Sequence, residues 1–440
     1  MLHFRFHHFE TERQLMVKQA SAQSAYLPIL GRILTKIIKH GRLTVIDSQG
    51  RTSHFGTERT GPSVTIRLHD RWLPLRIALN PSLATGEAYM NGRLTIVKGN
   101  LRSFLMVVTG SLEPLYATAF MRSCNRMSIA IRRAMGGNRR HRSAQNVAHH
   151  YDLTADFYRL FLDQDMHYSC AYFETGTETL EEAQAAKARH IAAKLFLKSE
   201  LKILDIGSGW GSMALMLARE KGVHVTGVTL SKAQLETARN RAAQSGLSNR
   251  VAFALKDYRD VAGQFDRIVS IGMLEHVGRE HLGSYFDKVS QLLAPNGVAV
   301  IHSIGRWDAN TGPDPWTDRY IFPGGHIPSL SEVIPAIEAS GLLVTDVEIL
   351  RLHYAETLRH WSDRFSANRE KVRILYDEKF CRMWEFYLAA AEMSFRNRPL
   401  MVFQIQLAQK REALPLTRNY IGIAEDQLAQ KASQGIREVA

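Results

Sequence analysis

LKILDIGSGWGSMALMLARE (residues 201–220) decides the fold. An apolar, β-branched run, LKILDI, ends at Asp205–Ile206 and passes into Gly207-Ser208-Gly209-Trp210-Gly211. The helical segment MALMLARE follows. A glycine-rich turn leaving a strand lets the backbone approach a ligand, and the helix behind it offers free N–H groups. The spacing is GxGxG rather than the GxGxxG of nicotinamide-binding turns, and no Lys-Ser/Thr pair follows, which excludes a P-loop. Working outward, VHVTGV (223–228), VAFAL (251–255), FDRIVSI (265–271) and GVAVIHSI (297–304) read as strands. KAQLETARNRAAQSG (232–246) and HLGSYFDKVSQLLA (281–294) read as helices between them. The alternation predicts an α/β fold: a doubly wound, mostly parallel sheet with helices on both faces. A long apolar helix, FCRMWEFYLAAAEMSF (380–395), precedes a late strand, LMVFQIQLA (400–408), expected to close the sheet.

The chain has 440 residues, enough for about two or three domains. Its 45% hydrophobic and 22% charged residues exclude a disordered chain, a collagen and a coiled coil. Lys and Arg number 56 against 43 acidic residues, a net +13 that favours anionic partners, nucleic acid or lipid head groups. Three cysteines, Cys124, Cys170 and Cys381, imply neither a disulfide framework nor a Cys-based zinc site. The start, MLHFRFHHFETERQ, has no apolar core of a signal peptide, and no run of ~18 apolar residues occurs. The expectation is a cytoplasmic protein without a spanning helix.

Three stretches are expected: a smaller N-terminal α+β domain over 1–120, a basic linker over 121–145, and a catalytic domain over 146–440. LPILGRILTKIIKHG (27–41) is periodic, with Ile29, Leu30, Ile33, Leu34, Ile37 and Ile38 on one helical face. Such a face completes a core or lies on a membrane surface. LTVIDSQG, VTIRLHD and LPLRIAL read as strands of the same domain. In the linker, Arg122, Arg126, Arg132, Arg133, Arg139, Arg140 and Arg142 surround Gly136-Gly137, with no acidic residue between Pro114 and Tyr151. That block suits phosphate groups or a solvated hinge equally.

Chemistry-bearing residues collect where strands end, which is where open α/β sheets bind ligands. After the second strand, Thr229 and Gln234 stand in place of the usual acidic ribose ligand, and Ser231 suits a helix N-cap. Lys256-Asp257-Tyr258-Arg259 follows the third strand, Gly272-Met273-Leu274-Glu275-His276 the fourth, and His302-Ser303-Ile304-Gly305 the fifth. Upstream lie the paired His149-His150 and Asp165-Met166-His167-Tyr168-Ser169-Cys170; downstream lies Tyr354.

DIGSGWG resembles the first motif of class I S-adenosylmethionine-dependent methyltransferases. HHYDLTADFYRLFLDQDMHYSCAYF, DIGSGWG, GVTLSKAQ, DYRD, FDRIVSIGMLEHVG, IHSIG, YIFPGGHIPSL and HYAETLRHW occur in this order. The series resembles the cyclopropane-fatty-acyl-phospholipid synthase family and the related mycolic acid cyclopropane synthases. It covers about 145 to 410, and PSLATGEAYMNG (81–92) resembles the family's accessory N-terminal domain more loosely. The resemblance implies a class I methyltransferase-type sheet and methyl transfer from S-adenosylmethionine to a cis double bond of an acyl chain. A carbocation loses a proton to bound bicarbonate and the ring closes. On this chain the bicarbonate ligands fall on Cys170, Glu275, His302, the Ile304 N–H and Tyr354. The cofactor contacts fall on Tyr168, Ser169, Asp205, Gly207, Gly209, Trp210, Gly211, Thr229, Gln234, Tyr258 and Arg259. The implied partners are unsaturated acyl chains of an anionic phospholipid bilayer at the inner face of the membrane, with a homodimer as a further expectation and no nucleic acid.

The residue types suit that chemistry. An alkene is a weak nucleophile, so the site must position it and exclude water. Tyr168, Tyr172, Phe173, Trp316 and Tyr320 are candidates to face the cation, at ~0.5–2 kcal/mol each. Glu275, if ionised, would repel an anion; we expect it to share a proton or to orient a donor. Two positions depart from the family's pattern: Ser208 replaces a frequent Cys, and Leu274 replaces a frequent Phe that would touch the acyl channel. The same half-reaction without ring closure would leave a methylated alkene. A nucleic-acid methyltransferase would carry Asn/Asp-Pro-Pro-aromatic where GMLEHVG stands, and a non-catalytic lipid binder would show an eroded site.

Overall fold

The computed structural model describes residues 28–110, 153–308 and 312–439. The basic linker, Cys124 and His149-His150 lie outside the described residues. The chain divides into two units, Met1–Ser123 with Tyr376–Met393, and Cys124–Leu375 with Ser394–Ala440.

In the first unit, strands β1 (Gly41–Ile46), β2 (Thr52–Thr57), β3 (Ser63–Leu68) and β4 (Leu94–Lys98) form a sheet of order β2-β1-β3-β4. β1 and β3 run parallel; the other pairings are antiparallel. Leu43, Val45, Val64, Ile66 and Leu68 alternate into its core. The helix Pro28–Ile37 buries Leu30, Leu34 and Ile37, with Ile38 behind them, and leaves Arg32 and Lys36 in solvent. Its apolar stripe therefore completes a core. LPLRIAL corrects an expectation. It is a helix, Leu73–Leu79, not a strand. Pro74 is tolerated in the first turn, where no intrahelical N–H is needed, and Leu73 and Pro74 are buried while Leu75 and Leu79 are exposed. The segment Tyr376–Met393, expected within the catalytic domain, groups with this unit. Tyr89 donates to Glu385 at 3.0 Å and its ring meets Phe386, pairings nearly 300 residues apart that no local pattern announces.

The second unit holds strands β5 (Lys202–Ile206), β6 (His224–Thr229), β7 (Val251–Leu255), β8 (Phe265–Ile271), β9 (Leu293–Arg306), β10 (Leu343–Leu350) and β11 (Leu400–Ala408). Their order is β10-β11-β9-β8-β5-β6-β7. β9, β8, β5, β6 and β7 are parallel, and β11 is antiparallel to both its neighbours. The late strand thus does not close the sheet: it inserts beside β9, and the edge is β10. One face is covered by helices Leu282–Leu292 and Leu330–Ala339, the other by Leu180–Lys194, Ser212–Lys221 and Lys232–Gln244. Ile203, Leu204, Ile268, Val269, Val300 and Ile301 are fully buried between the layers, as a doubly wound sheet requires.

Helix Leu180–Lys194 starts with a capping box between Thr179 and Glu182. Just beyond its other end, the buried Arg267 of β8 donates to the carbonyls of Leu195 and Phe196, and to its neighbour Asp266. Arg267→Met removes these donors and strands the carbonyls. Urea unfolding is expected to show a loss of about 2–4 kcal/mol; a loss below about 0.5 kcal/mol would mean the carbonyls find other donors.

Candidate active site

A cavity of about 180 Å³ opens where β5, β6 and β8 end. Its wall contains Tyr168, Ser169, Asp205, Gly207, Gly209, Trp210, Thr229, Gln234, Tyr258 and Arg259, ten of the eleven positions expected to meet the cofactor. Gly211 stands apart. Its φ is +87°, and a Cβ there would meet Phe253 Cζ at 2.7 Å. Gly211 therefore sets the tight entry to the helix Ser212–Lys221 instead of touching the cavity.

Local hydrogen bonds hold the wall. Thr229 Oγ1 donates to Gln234 Oε1 at 2.8 Å, and Ser231 caps its helix by accepting from the Gln234 N–H. The Asp257 carboxylate takes the Arg259 guanidinium at 2.6 and 2.9 Å. Burial pushes the Tyr258 hydroxyl up to about 12, so it remains protonated. The loop before Cys170 is held by residues to which no role had been given. Asp163 accepts from the His167 N–H and pairs with His167 Nδ1, both at 2.8 Å. Arg241 donates to the carbonyls of Asp165 (3.1 Å) and Trp210 (3.0 Å), stitching this loop to the glycine turn. Lys187, fully buried and lining the cavity, donates to Ser169 Oγ at 3.1 Å. Burial pushes its ammonium down to about 8, against the pull of Asp163, Cys170 and Asp205. The sequence motifs do not single out Lys187, which lies in an alanine-rich helix.

Cys170, Glu275, His302, Ile304 and Tyr354 lie outside this wall. Cys170, Glu275 and His302 adjoin wall residues along the chain or by one hydrogen bond, whereas Ile304 and Tyr354 reach it only through Glu275 and Trp361. Cys170 follows Ser169, and Glu275 precedes the wall residue His276. The His302 carbonyl accepts from the N–H of wall residue Gly272 at 2.8 Å. The Tyr354 ring meets Trp361, which stacks at 5.1 Å on wall residue Tyr168. Glu275 Oε1 accepts from the Ile304 N–H at 2.6 Å, joining the ends of β8 and β9. Burial pushes this carboxyl up to about 7, and its Oε2 is buried with no partner among the described residues. Burial also keeps the Cys170 thiol protonated and His302 neutral. The Ala171 N–H donates to Thr357, three residues along the helix that carries Tyr354.

Two expectations are corrected. The Tyr172 ring lies stacked against His190 at 4.3 Å and His353 at 5.0 Å, so these imidazoles take the faces a cation would need. Leu274 is buried in the core under the sheet, not in a channel wall. Phe173 stacks on His360, and Trp316 is buried beside Tyr320.

The cavity suits a polar ligand of nucleoside size. Asp205 Oδ2, Ser208 Oγ and His167 Nε2 are buried, belong to its wall, and have no protein partner among the described residues. Burial pushes the Asp205 carboxyl up to about 7, and an ammonium or hydroxyl donor there would draw it back down.

The chain matches the family model described as mycolic acid cyclopropane synthetase over residues 138–405, and a domain of unknown function over 33–117. The tuberculostearic acid methyltransferase UfaA1 of Mycobacterium tuberculosis is 35% identical over 90% of this chain and 94% of its own length. The cyclopropane-fatty-acyl-phospholipid synthase of Escherichia coli is 36% identical over 75% of this chain and 84% of its own. The solved mycolic acid cyclopropane synthase CmaA1 complexed with SAH and CTAB superposes with a TM-score of 0.58 at 35% identity, covering 60% of this chain and 97% of that one. The chain belongs to the mycolic acid cyclopropane synthetase family and is an S-adenosylmethionine-dependent methyltransferase with the class I fold.

Two outcomes are expected. Arg241→Met should weaken binding of SAH about tenfold by calorimetry, equivalent to ~1.4 kcal/mol; unchanged affinity would show that the stitch does not shape the cavity. Glu275 binds its extra proton only when folded, so its contribution to stability falls as pH rises from about 4.5 to about 7. Glu275→Gln keeps the acceptor for Ile304 without a charge. At pH 8 it should be more stable than the parent by on the order of 1–3 kcal/mol, with the gap closing near pH 5. Equal gaps at both pH values would show that Glu275 folds ionised.

Proposed function

We propose that this member of the mycolic acid cyclopropane synthetase family methylates the cis double bond of an unsaturated acyl chain of membrane phospholipid and closes a cyclopropane ring, with bicarbonate as the bound base. The reading is carried by the pairing of a buried Glu275 carboxyl with the Ile304 N–H. A carboxyl held up to about 7 is protonated for much of the time near neutrality and then donates to an anion instead of repelling it. The other expected ligands are neutral donors as well. Cys170 keeps its S–H, here donated to the Ala171 carbonyl, Tyr354 has a phenol, and His302 has one ring N–H. Lys187, Lys194 and His190 place positive potential at His302, which favours an anion nearby. The Ile304 N–H, now donating to Glu275, becomes available to the anion if the carboxyl turns.

The cofactor supplies an electrophilic methyl group when bound. Asp205, Tyr258 and Gln234, with the backbone of Gly207 and Gly209, would hold it in the cavity. Tyr168 and Trp361, stacked behind the wall, keep water from the side on which Tyr354 stands. Among the described residues no helix is long and apolar enough to cross a membrane. The proposal therefore has an anionic bilayer present its acyl chains from its cytoplasmic face, attracted by the net +13 charge.

A methylated alkene is the second reading. A relative named as a methyltransferase covers more of this chain than the cyclopropane synthase does. It requires the same anion site to be absent or differently used. Mass spectrometry of acyl chains, with and without the active protein, separates the two. A gain of ~14 Da with loss of alkene reactivity is expected; the same gain with the alkene kept overturns ring closure. Bicarbonate-depleted buffer should lower turnover at least tenfold. Restoration by added bicarbonate should weaken as pH rises through about 7, where Glu275 loses its proton.

A further inference from the structure

Gln404 lies on β11, directly opposite His302 of β9 in the antiparallel register. It is fully buried, and its Nε2 lies 3.2 Å from His302 Nδ1. Its Oε1 is buried with no partner among the described residues. The reading of His302 as an anion ligand makes no use of this amide.

A neutral imidazole carries one proton, on either ring nitrogen, and the neighbour of one nitrogen decides the nature of the other. His302 is kept neutral by burial and by the cations Lys187, Lys194 and His190 around it. Its amide neighbour has two orientations. With the amide nitrogen toward the ring, Gln404 donates one N–H to Nδ1 and leaves the carbonyl oxygen and one further N–H. Turned over, Gln404 accepts from an Nδ1–H and leaves an NH2 group, two donors, in the same partnerless place. Unpaired buried donors are rarer and costlier than an under-used carbonyl. The first orientation is the stable one.

We propose that Gln404 is a positioning residue that locks His302 in the tautomer protonated on Nε2, so that His302 offers the reaction site an N–H and not a lone pair. His302 is then a donor to the bound anion and cannot itself remove the substrate proton. The base must be a separate group, which deepens the proposed function and rests on it for the role of the anion but not for the tautomer.

Nitrogen-15 NMR of the full chain labelled at histidine tests this, with the His302 signals identified by their disappearance in His302→Asn. In the parent, Nδ1 should resonate as an unprotonated ring nitrogen and Nε2 as a protonated one. In Gln404→Glu the carboxylate can only accept, and the pattern should reverse. In Gln404→Met the two tautomers should mix. SAH affinity within twofold of the parent in both variants shows that the cofactor cavity has survived. Turnover should fall at least tenfold in Gln404→Glu, with Gln404→Met in between. A protonated Nδ1 in the parent, or an unchanged tautomer in both variants, overturns the proposal. A tautomer that follows residue 404 while turnover ignores bicarbonate upholds the positioning role and instead defeats the bicarbonate reading.

Discussion

One buried ammonium ties the catalytic unit together. Lys187 is sealed inside helix Leu180–Lys194, and an isolated charge there would cost several kcal/mol. It is compensated from three directions, by the Ser169 hydroxyl, by Asp163 and by Asp205. Those residues belong to the loop that leads into Cys170 and to the strand that leads into the glycine turn. Both segments answer to the same charge, so a shift of either one takes away part of its compensation. The same field reaches Cys170 and His302 and helps to set the protonation of both.

The residues of the cavity wall differ in chemistry from the expected anion ligands outside it. The wall mixes polar and backbone groups, from the glycines, Thr229, Gln234 and Asp205, with apolar side chains such as Ile206, Val228 and Met273. Outside that wall stand the Cys170 thiol, the neutral His302 imidazole, the Tyr354 phenol and the Glu275 carboxyl, the groups expected to meet an anion. Each of those groups is uncharged in its favoured state. In the proposed function, neutral donors of this kind would take an anion without first binding a cation and without stranding a charge of their own.

Much of this was legible in the residues. The turn at 205–211 and the strands around it follow from β-branched runs and glycine spacing, and they locate the cavity. Ser231 was readable as an N-cap and serves as one. The losses have physical causes. LPLRIAL alternates like a strand, yet Pro74 suits a first helical turn, and the exposure of Leu75 and Leu79 breaks the pattern. The edge strand LVTDVEIL alternates polar and apolar residues on a sheet margin and gave no clear signal. The burial of Lys187, His190 and Lys194 went unread because nothing local shows that both faces of their helix are covered. Arg241 and Gln404 act through partners 76 and 102 residues away, a separation that periodicity does not sense.

The placement of β11 also bears on synthesis. The glycine turn, the thiol, the carboxyl and the imidazole are all encoded before residue 303, but the strand that flanks His302 on its other side comes from the last tenth of the chain. While the ribosome is still adding that strand, β9 has an open flank and the imidazole has no amide beside it. The proposed setting of the proton on His302 therefore waits until β11 pairs with β9, a contact that folding cannot make from neighbouring residues alone.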